Sequence, residues 1–106
     1  MRSEKRRKLE TAGWRVGDAG DFLELTPDES AFVEIKLALA RRVRELREEH
    51  NWTQAEFARR VGSSQSRVAK MEAADPTVSV DLLVRSLLAA GADRQELGRV
   101  VGSRRR

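Results

Sequence analysis

The sequence predicts an all-α fold in which five helices follow a short N-terminal extension. After residue 26, apolar residues recur at spacings of three and four, which is typical of helices that bury one face. Capping residues precede these stretches, and no strand-like alternation interrupts them. Asn51-Trp52 follows the first stretch, and glycine or proline follows the other four. The 106 residues, of which 40% are hydrophobic and 36% charged, suffice for one modest core. The short connections favour a compact bundle over a long coiled coil.

The first predicted helix runs from Pro27 to about Glu49. Thr26 can cap its free amides, and Glu29 completes a capping box with Thr26. Pro27 needs no hydrogen-bond donor at the first helical position. The apolar face is one stripe that consists of Phe32, Ile35, Leu39, Val43 and Leu46.

The second and third predicted helices are short and closely spaced. Thr53 caps the second helix, which ends near Val61, and Gly62 accepts the backbone conformation of a tight turn. Ser64 caps the third helix, which ends near Ala73.

The fourth and fifth predicted helices complete the bundle. Ser79 caps the fourth helix, and Gly91 terminates it. Asp93 and Glu96 form a second capping box, which opens a fifth helix that ends near Val101.

The N-terminal extension, residues 1–26, precedes a helical domain of residues 27–106. Within the extension, residues 2–12 predict a short charged helix, and Trp14 follows in a glycine-bracketed turn. Trp14 either packs on the bundle or lies in an interface with a partner, where tryptophan is enriched.

Charge is distributed unevenly, although the net charge is only +4. Residues 57–71 contain four bases and no acid, residues 1–8 contain five bases, and the chain ends in three arginines. Segregated basic charge favours docking of a polyanion, although these charges could also be solvated helix faces. The segment of residues 18–34 contains six acids and no base, and it is either ordinary surface or a docking site for a basic partner.

The residue types argue against several classes of function. With no cysteine and one histidine, thiolate and multi-histidine metal sites are excluded. The sequence offers no nucleophile–base pair and no phosphate loop, so no catalytic residue and no cofactor are expected. No apolar run approaches the ~20 residues of a membrane span, which predicts a cytoplasmic protein.

The most informative segment is residues 53–72. Two short helices joined by a glycine turn cross at a steep angle, and Ala58 is small where they approach. Four side chains are expected to point inward and hold that angle: Phe57, Val61, Val68 and Met71.

The outward face of the third helix suits the major groove of DNA. Glutamine can pair with adenine and arginine with guanine, each giving about 1–3 kcal/mol of discrimination. Gln54, at the start of the second helix, can bind a phosphate together with the helix N-terminus. The predicted DNA-binding residues are Thr53, Gln54, Ser64, Gln65, Ser66, Arg67 and Lys70.

This segment resembles the Cro/repressor-type helix-turn-helix family (the XRE family) over about residues 35–101. The shared features are the Thr-Gln start, the internal alanine, the turn glycine, the Ser-Gln-Ser and the closing Met-Glu. The resemblance implies a two-fold homodimer on a palindromic double-stranded operator, and a structural role for Glu72. The apolar residues Leu97, Val100 and Val101 either form the dimer interface or pack in the core of the subunit.

The whole chain also resembles HigA-type antitoxins of bacterial type II toxin–antitoxin pairs. The residues that carry this resemblance are the Lys-Leu-Glu-Thr-Ala-Gly-Trp-Arg-Val-Gly entry, the Phe-Leu-Glu-Leu-Thr-Pro-Asp-Glu step and Ser-Gln-Ser-Arg-Val-Ala-Lys-Met-Glu. The resemblance implies autoregulation of the operon and a small basic partner, a RelE/HigB-like ribonuclease toxin. Two alternatives stay open: a stand-alone repressor without a toxin, and an interaction adaptor that does not bind DNA.

Overall fold

The computed structural model describes residues 25–103, which form five α-helices and no strand. The predicted all-α class is confirmed over that range. The helices are α1 (Pro27–Glu49), α2 (Gln54–Val61), α3 (Gln65–Glu72), α4 (Val80–Ala89) and α5 (Arg94–Gly102). The predictions for residues 2–12, for Trp14 and for the three terminal arginines lie outside the described residues.

The structure divides into two units, and the boundary between them lies between Glu34 and Ile35, inside α1. In the described part of the first unit, the predicted capping box is confirmed. The Thr26 backbone N–H donates to the Glu29 carboxylate at 3.0 Å, and the Glu29 N–H donates to the Thr26 hydroxyl at 3.2 Å. The side chain of Phe32 is 54% exposed, so the buried part of the α1 stripe begins after it.

The second unit contains the hydrophobic core. Three members of the predicted α1 stripe (Leu39, Val43 and Leu46) are buried, and Ile35 packs against them. The other helices complete the core with Phe57, Ala58, Val68, Met71, Leu83 and Leu87. The predicted apolar faces of α2, α3 and α4 therefore meet in one cluster, which fixes the positions of the short helices that their own length could not stabilise.

Four predicted N-caps of the second unit are confirmed. The side chains of Thr53, Ser64, Ser79 and Asp93 each accept a hydrogen bond from the backbone N–H three residues later. Each such cap contributes about 1 kcal/mol of stability.

The predicted capping box at the start of α5 is wrong in one half. The Asp93 side chain does accept from the Glu96 N–H at 2.8 Å. The Glu96 carboxylate, however, accepts from the Arg42 guanidinium of α1 at 2.5 Å. A charge-assisted hydrogen bond is roughly twice as strong as one from a neutral backbone N–H. The Glu96 carboxylate therefore binds the Arg42 guanidinium and not the Asp93 backbone N–H.

Two of the helix ends use the predicted glycines, and two others do not. Gly62 (φ 71°) follows α2 and Gly91 (φ 111°) follows α4, both in the left-handed region. Asn51 (φ 58°) after α1 and Ala74 (φ 52°) after α3 adopt the same conformation without being glycine. Beyond Ala74, the Asp75 N–H bonds back to the Lys70 carbonyl at 3.0 Å, so α3 is closed before Pro76 is reached.

Candidate nucleic-acid interface

The turn between α2 and α3 sets the orientation of α3. Gly62 takes the left-handed conformation, and the Ser63 N–H donates to the Ala58 carbonyl at 2.8 Å. The side chains of the predicted inward-facing residues Phe57, Val68 and Met71 are fully buried, and Val61 packs against the core. The core therefore holds α3 against α2, as the sequence predicted.

The opposite face of α3 is open to solvent. Six predicted DNA-binding residues are exposed: Thr53, Ser64, Gln65, Ser66, Arg67 and Lys70. Four of them, namely Ser64, Ser66, Arg67 and Lys70, line one cleft together with Thr77. Gln65 is exposed outside that cleft, and Thr53 lies at the start of α2. The structure thus brings Ser64, Ser66, Arg67 and Lys70 together in one cleft, which neither Gln65 nor Thr53 lines.

The hydroxyl groups of Thr53 and Ser64 have a structural task as well. The Thr53 hydroxyl accepts from the Glu56 N–H at 3.0 Å, and the Ser64 hydroxyl accepts from the Arg67 N–H at 3.2 Å. A hydroxyl has one hydrogen and two lone pairs, so each cap can still donate to an acceptor such as a phosphate oxygen.

Gln54 is held by a group that the sequence analysis did not pair with it. Its side-chain amide nitrogen donates to the Glu72 carboxylate at 3.2 Å. Glu72 is in turn bound by Arg47 through two hydrogen bonds, at 2.6 and 3.1 Å. The amide nitrogen has a second hydrogen, and the bond to Glu72 fixes which end of the amide is the donor.

The Arg47–Glu72 pair neutralises the acid that closes α3. The side chains of the two residues are only 16% and 8% exposed. Hydrogen bonding to Glu72 raises the pKa of the Arg47 guanidinium above its ordinary value, and the same guanidinium donates to the Trp52 carbonyl at 3.0 Å. The predicted structural role of Glu72 is confirmed: it joins α1, α2 and α3.

Trp52 is engaged by its neighbours on two sides. Its ring stacks on His50 with centroids 4.3 Å apart, and the Arg60 guanidinium lies 4.3 Å from the ring centroid. The ring also packs against the core beside Phe57. Its role in the described structure is therefore packing at the α1–α2 junction.

Asp75 is an acid that lies close enough to Lys70 to interact with its charge. The pKa of the Asp75 carboxyl lies below its ordinary value, first because the Thr77 hydroxyl donates to it at 2.6 Å and then because the Thr77 N–H donates at 2.8 Å. Lys70 and Lys36 lower the same pKa through their charge. The ionised carboxylate is thus tied to its own loop.

The predicted dimer residues divide between core and surface. Leu97 and Val100 are half-buried and pack against the core, whereas Val101 is 41% exposed. Leu88 on α4 is a further large apolar side chain with 43% exposure.

Other chemistry is sparse in the part of the chain that the structure describes. Residues 25–103 hold no group of three or more histidine, cysteine or acidic side chains arranged to bind a metal ion. Among the helices of the same range, none is both long and apolar enough to cross a membrane.

A family model described as helix-turn-helix matches residues 43–97, slightly more than half of the chain. The matched range begins within α1, contains α2, the turn and α3, and ends within α5. No curated protein and no solved structure shows significant similarity to the chain.

Proposed function

We propose that this chain, which belongs to the helix-turn-helix family of the Cro/repressor type, is a repressor that binds a palindromic operator as a homodimer. The family is one of DNA-binding transcription regulators and is generally not enzymatic. The observation that carries the proposal is the exposed face of α3, with Gln65, Arg67 and Lys70 open to solvent. The buried side chains of Phe57, Val68 and Met71 hold that face in place behind the turn. A repressor works where its DNA is, so we infer that the protein is cytoplasmic.

The proposed DNA-binding side chains divide into base readers and phosphate contacts. Gln65 and Arg67, in the first turn of α3, are placed to read base edges, because the N-terminal residues of a recognition helix enter the major groove. Lys70 follows one turn later on the same face. Phosphate contacts fix the orientation of the protein on the duplex, and we assign them to Thr53, Gln54, Ser64 and Ser66.

Dimer formation supplies the second reading helix. Two half-sites one helical turn apart, about 34 Å, require two symmetric copies of α3. The exposed Val101 and the half-buried Leu97 and Val100 of α5 are the proposed seam. A bound dimer covers the operator and blocks access of the transcription machinery to it.

A double substitution tests base reading. We expect Gln65→Ala together with Arg67→Ala to abolish the preference for a selected palindromic site over mixed-sequence DNA in a gel-shift competition assay. The matched control is Arg44→Ala, which removes an exposed arginine of α1 that pairs with Glu48. Full retention of the preference by the double variant would show that α3 does not read the bases.

We further propose that the protein is the antitoxin of a type II pair. The acidic residues 18–34 support this role, since a toxin that binds RNA is basic. Within the described part of that segment, Phe32 is 54% exposed and its neighbours Asp28 and Glu34 are exposed acids. These residues suit a basic partner that also covers an apolar side chain.

The antitoxin role is tested with the neighbouring genes. We expect an adjacent gene for a small basic protein whose expression arrests growth, and we expect co-expression of this chain to restore growth. Charge reversal of the exposed acids Asp28 and Glu34 to lysine should weaken the rescue and leave DNA binding intact. If no neighbour is toxic, the protein is a stand-alone repressor.

A further inference from the structure

A second cleft opens beside the start of α3, on the side of α4. Its walls come from the α2–α3 turn, the first turn of α3 and one face of α4. The polar residues that line it are Ser63, Ser64, Arg67, Arg85 and Ser86, and its nine lining residues include no acid. Two guanidinium groups and three hydroxyls form a surface suited to an anion with several oxygen acceptors.

Arg85, on α4, lines this cleft and has no part in the base-reading face of α3. Its side chain is 78% exposed, and its ion-pair partner is Asp81 of the same helix at 3.7 Å, itself 76% exposed. An exposed pair of this kind is weak. The guanidinium can therefore exchange Asp81 for a phosphate, which it can bind through two parallel hydrogen bonds.

Ser63 adds a donor from the wall that the α2–α3 turn forms. Its hydroxyl oxygen is buried and has no hydrogen-bond partner within the described residues. Rotation about a single side-chain bond moves a serine hydroxyl between staggered positions. An anion in the cleft would supply the acceptor that this hydroxyl lacks.

The cleft is continuous with the proposed reading face. Ser64 and Arg67 line it and also line the cleft that contains Lys70. At the other end of α3, Gln54 is bonded to Glu72, the last residue of the helix. Eight residues of α-helix extend about 12 Å, similar to the ~12 Å width of the major groove. Two hydrogen-bond donors near the two ends of α3, the Arg85 guanidinium and the Gln54 amide, can therefore meet phosphates on both sides of the groove.

We propose that Arg85, together with the Ser63 and Ser64 hydroxyls, binds a backbone phosphate of the same DNA duplex, beside the bases that α3 reads. This inference rests on the proposed DNA-binding function and adds a contact that α2 and α3 do not supply. Because a phosphate carries no sequence information, the contact strengthens binding to operator and mixed-sequence DNA alike.

The experiment compares three single variants on two DNA probes. Binding of Arg85→Ala, Arg85→Lys and Arg44→Ala to a selected operator duplex and to a mixed-sequence duplex is measured by fluorescence anisotropy between about 50 and 200 mM salt. Arg44 is the matched control, because it too is exposed and paired four residues along its own helix, with Glu48 at 3.1 Å. Circular dichroism verifies that each variant is folded.

We expect Arg85→Ala to weaken binding to both probes by the same factor. The slope of log affinity against log salt should become shallower by about 0.9 per subunit, or about 1.8 for the dimer, so the affinity deficit of the variant narrows by roughly twelvefold over that salt range. Arg85→Lys should retain the native slope, since it keeps the charge, and Arg44→Ala should match the native protein.

Three outcomes would overturn the inference. An Arg85→Ala slope equal to that of Arg44→Ala would show that no phosphate is bound there. If Arg85→Ala lost affinity for the operator duplex only, Arg85 would read sequence. If Arg85→Lys lost as much affinity as Arg85→Ala, the role of Arg85 would be structural. Failure of the native protein to bind either duplex would instead refute the proposed function, so the two failures are distinguishable.

Discussion

Replacing Arg47 with methionine should destabilise the protein strongly, because it breaks the pair that joins three helices. Methionine keeps much of the length of the side chain and removes its charge. The Glu72 carboxylate, 8% exposed, would then retain only the Gln54 amide as a partner. Breaking a buried ion pair on one side costs about 3–5 kcal/mol. The Gln54–Glu72 bond remains in the variant and reduces this cost, whereas the lost bond from Arg47 to the Trp52 carbonyl adds to it. We therefore expect the free energy of unfolding to fall by about 3 kcal/mol.

Urea unfolding followed by circular dichroism measures this loss. The midpoint should fall while the slope with denaturant stays constant, which separates stability from a change in compactness. Arg44→Met on the same helix is the control, since its exposed pair with Glu48 contributes only about 0.3–0.5 kcal/mol. Equal losses in Arg47→Met and Arg44→Met would refute the reasoning. The double variant Arg47→Met with Glu72→Gln should regain part of the loss, because no unpaired charge remains.

Three further predictions concern local chemistry in the same unit. Ala74→Gly should raise the free energy of unfolding by about 0.5–1 kcal/mol, because Ala74 has φ 52° and a left-handed alanine is strained. A lower midpoint temperature of thermal unfolding in the variant would contradict this. Thr53→Ala should lower stability by about 1 kcal/mol through loss of the α2 cap, and an unchanged urea midpoint would count against it. Thr77→Val should bring the pKa of Asp75 back up toward its ordinary value in an NMR titration. A carboxyl whose pKa is lowered in the folded state contributes stability that is lost as the pH falls through that pKa. The stability of Thr77→Val should therefore depend less on pH in the acid range than that of the native protein. An unchanged pKa of Asp75 in the variant would exclude Thr77 as the cause.

Local signals predicted much of the fold because they act within one helical turn. The side chains of Thr53, Ser64 and Ser79 cap their helices as expected, and Gly62 and Gly91 take the left-handed conformation that they permit. Such interactions involve residues three or four positions apart, so a single sequence displays them directly.

Long-range competition was not visible in the sequence. Glu96 has the spacing of a capping-box partner for Asp93, but Arg42, far away in the chain, takes its carboxylate. The bond from Gln54 to Glu72 likewise joins two helices with no characteristic spacing. Sequence reasoning found Gln54 through its place at a helix start and could not find the carboxylate that orients it.

The candidate site was predictable to a similar extent. The exposed α3 residues follow from the cap at Ser64 together with the buried positions Val68 and Met71, which fix the helical register. Arg85 was missed because its significance depends on how α4 lies beside the α2–α3 turn. A register argument on α4 could have placed Arg85 on the same face as Leu82, one turn earlier, but could not have placed that face beside α3.

Selection of binding sites from a random duplex library tests the central claim most directly. The purified protein is incubated with the library, and the bound DNA is recovered and sequenced. If α3 reads DNA as a symmetric pair, the selected sequences should converge on a palindrome whose half-sites are about one helical turn apart. Retention of DNA without sequence enrichment, or convergence on a site without two-fold symmetry, would contradict the account.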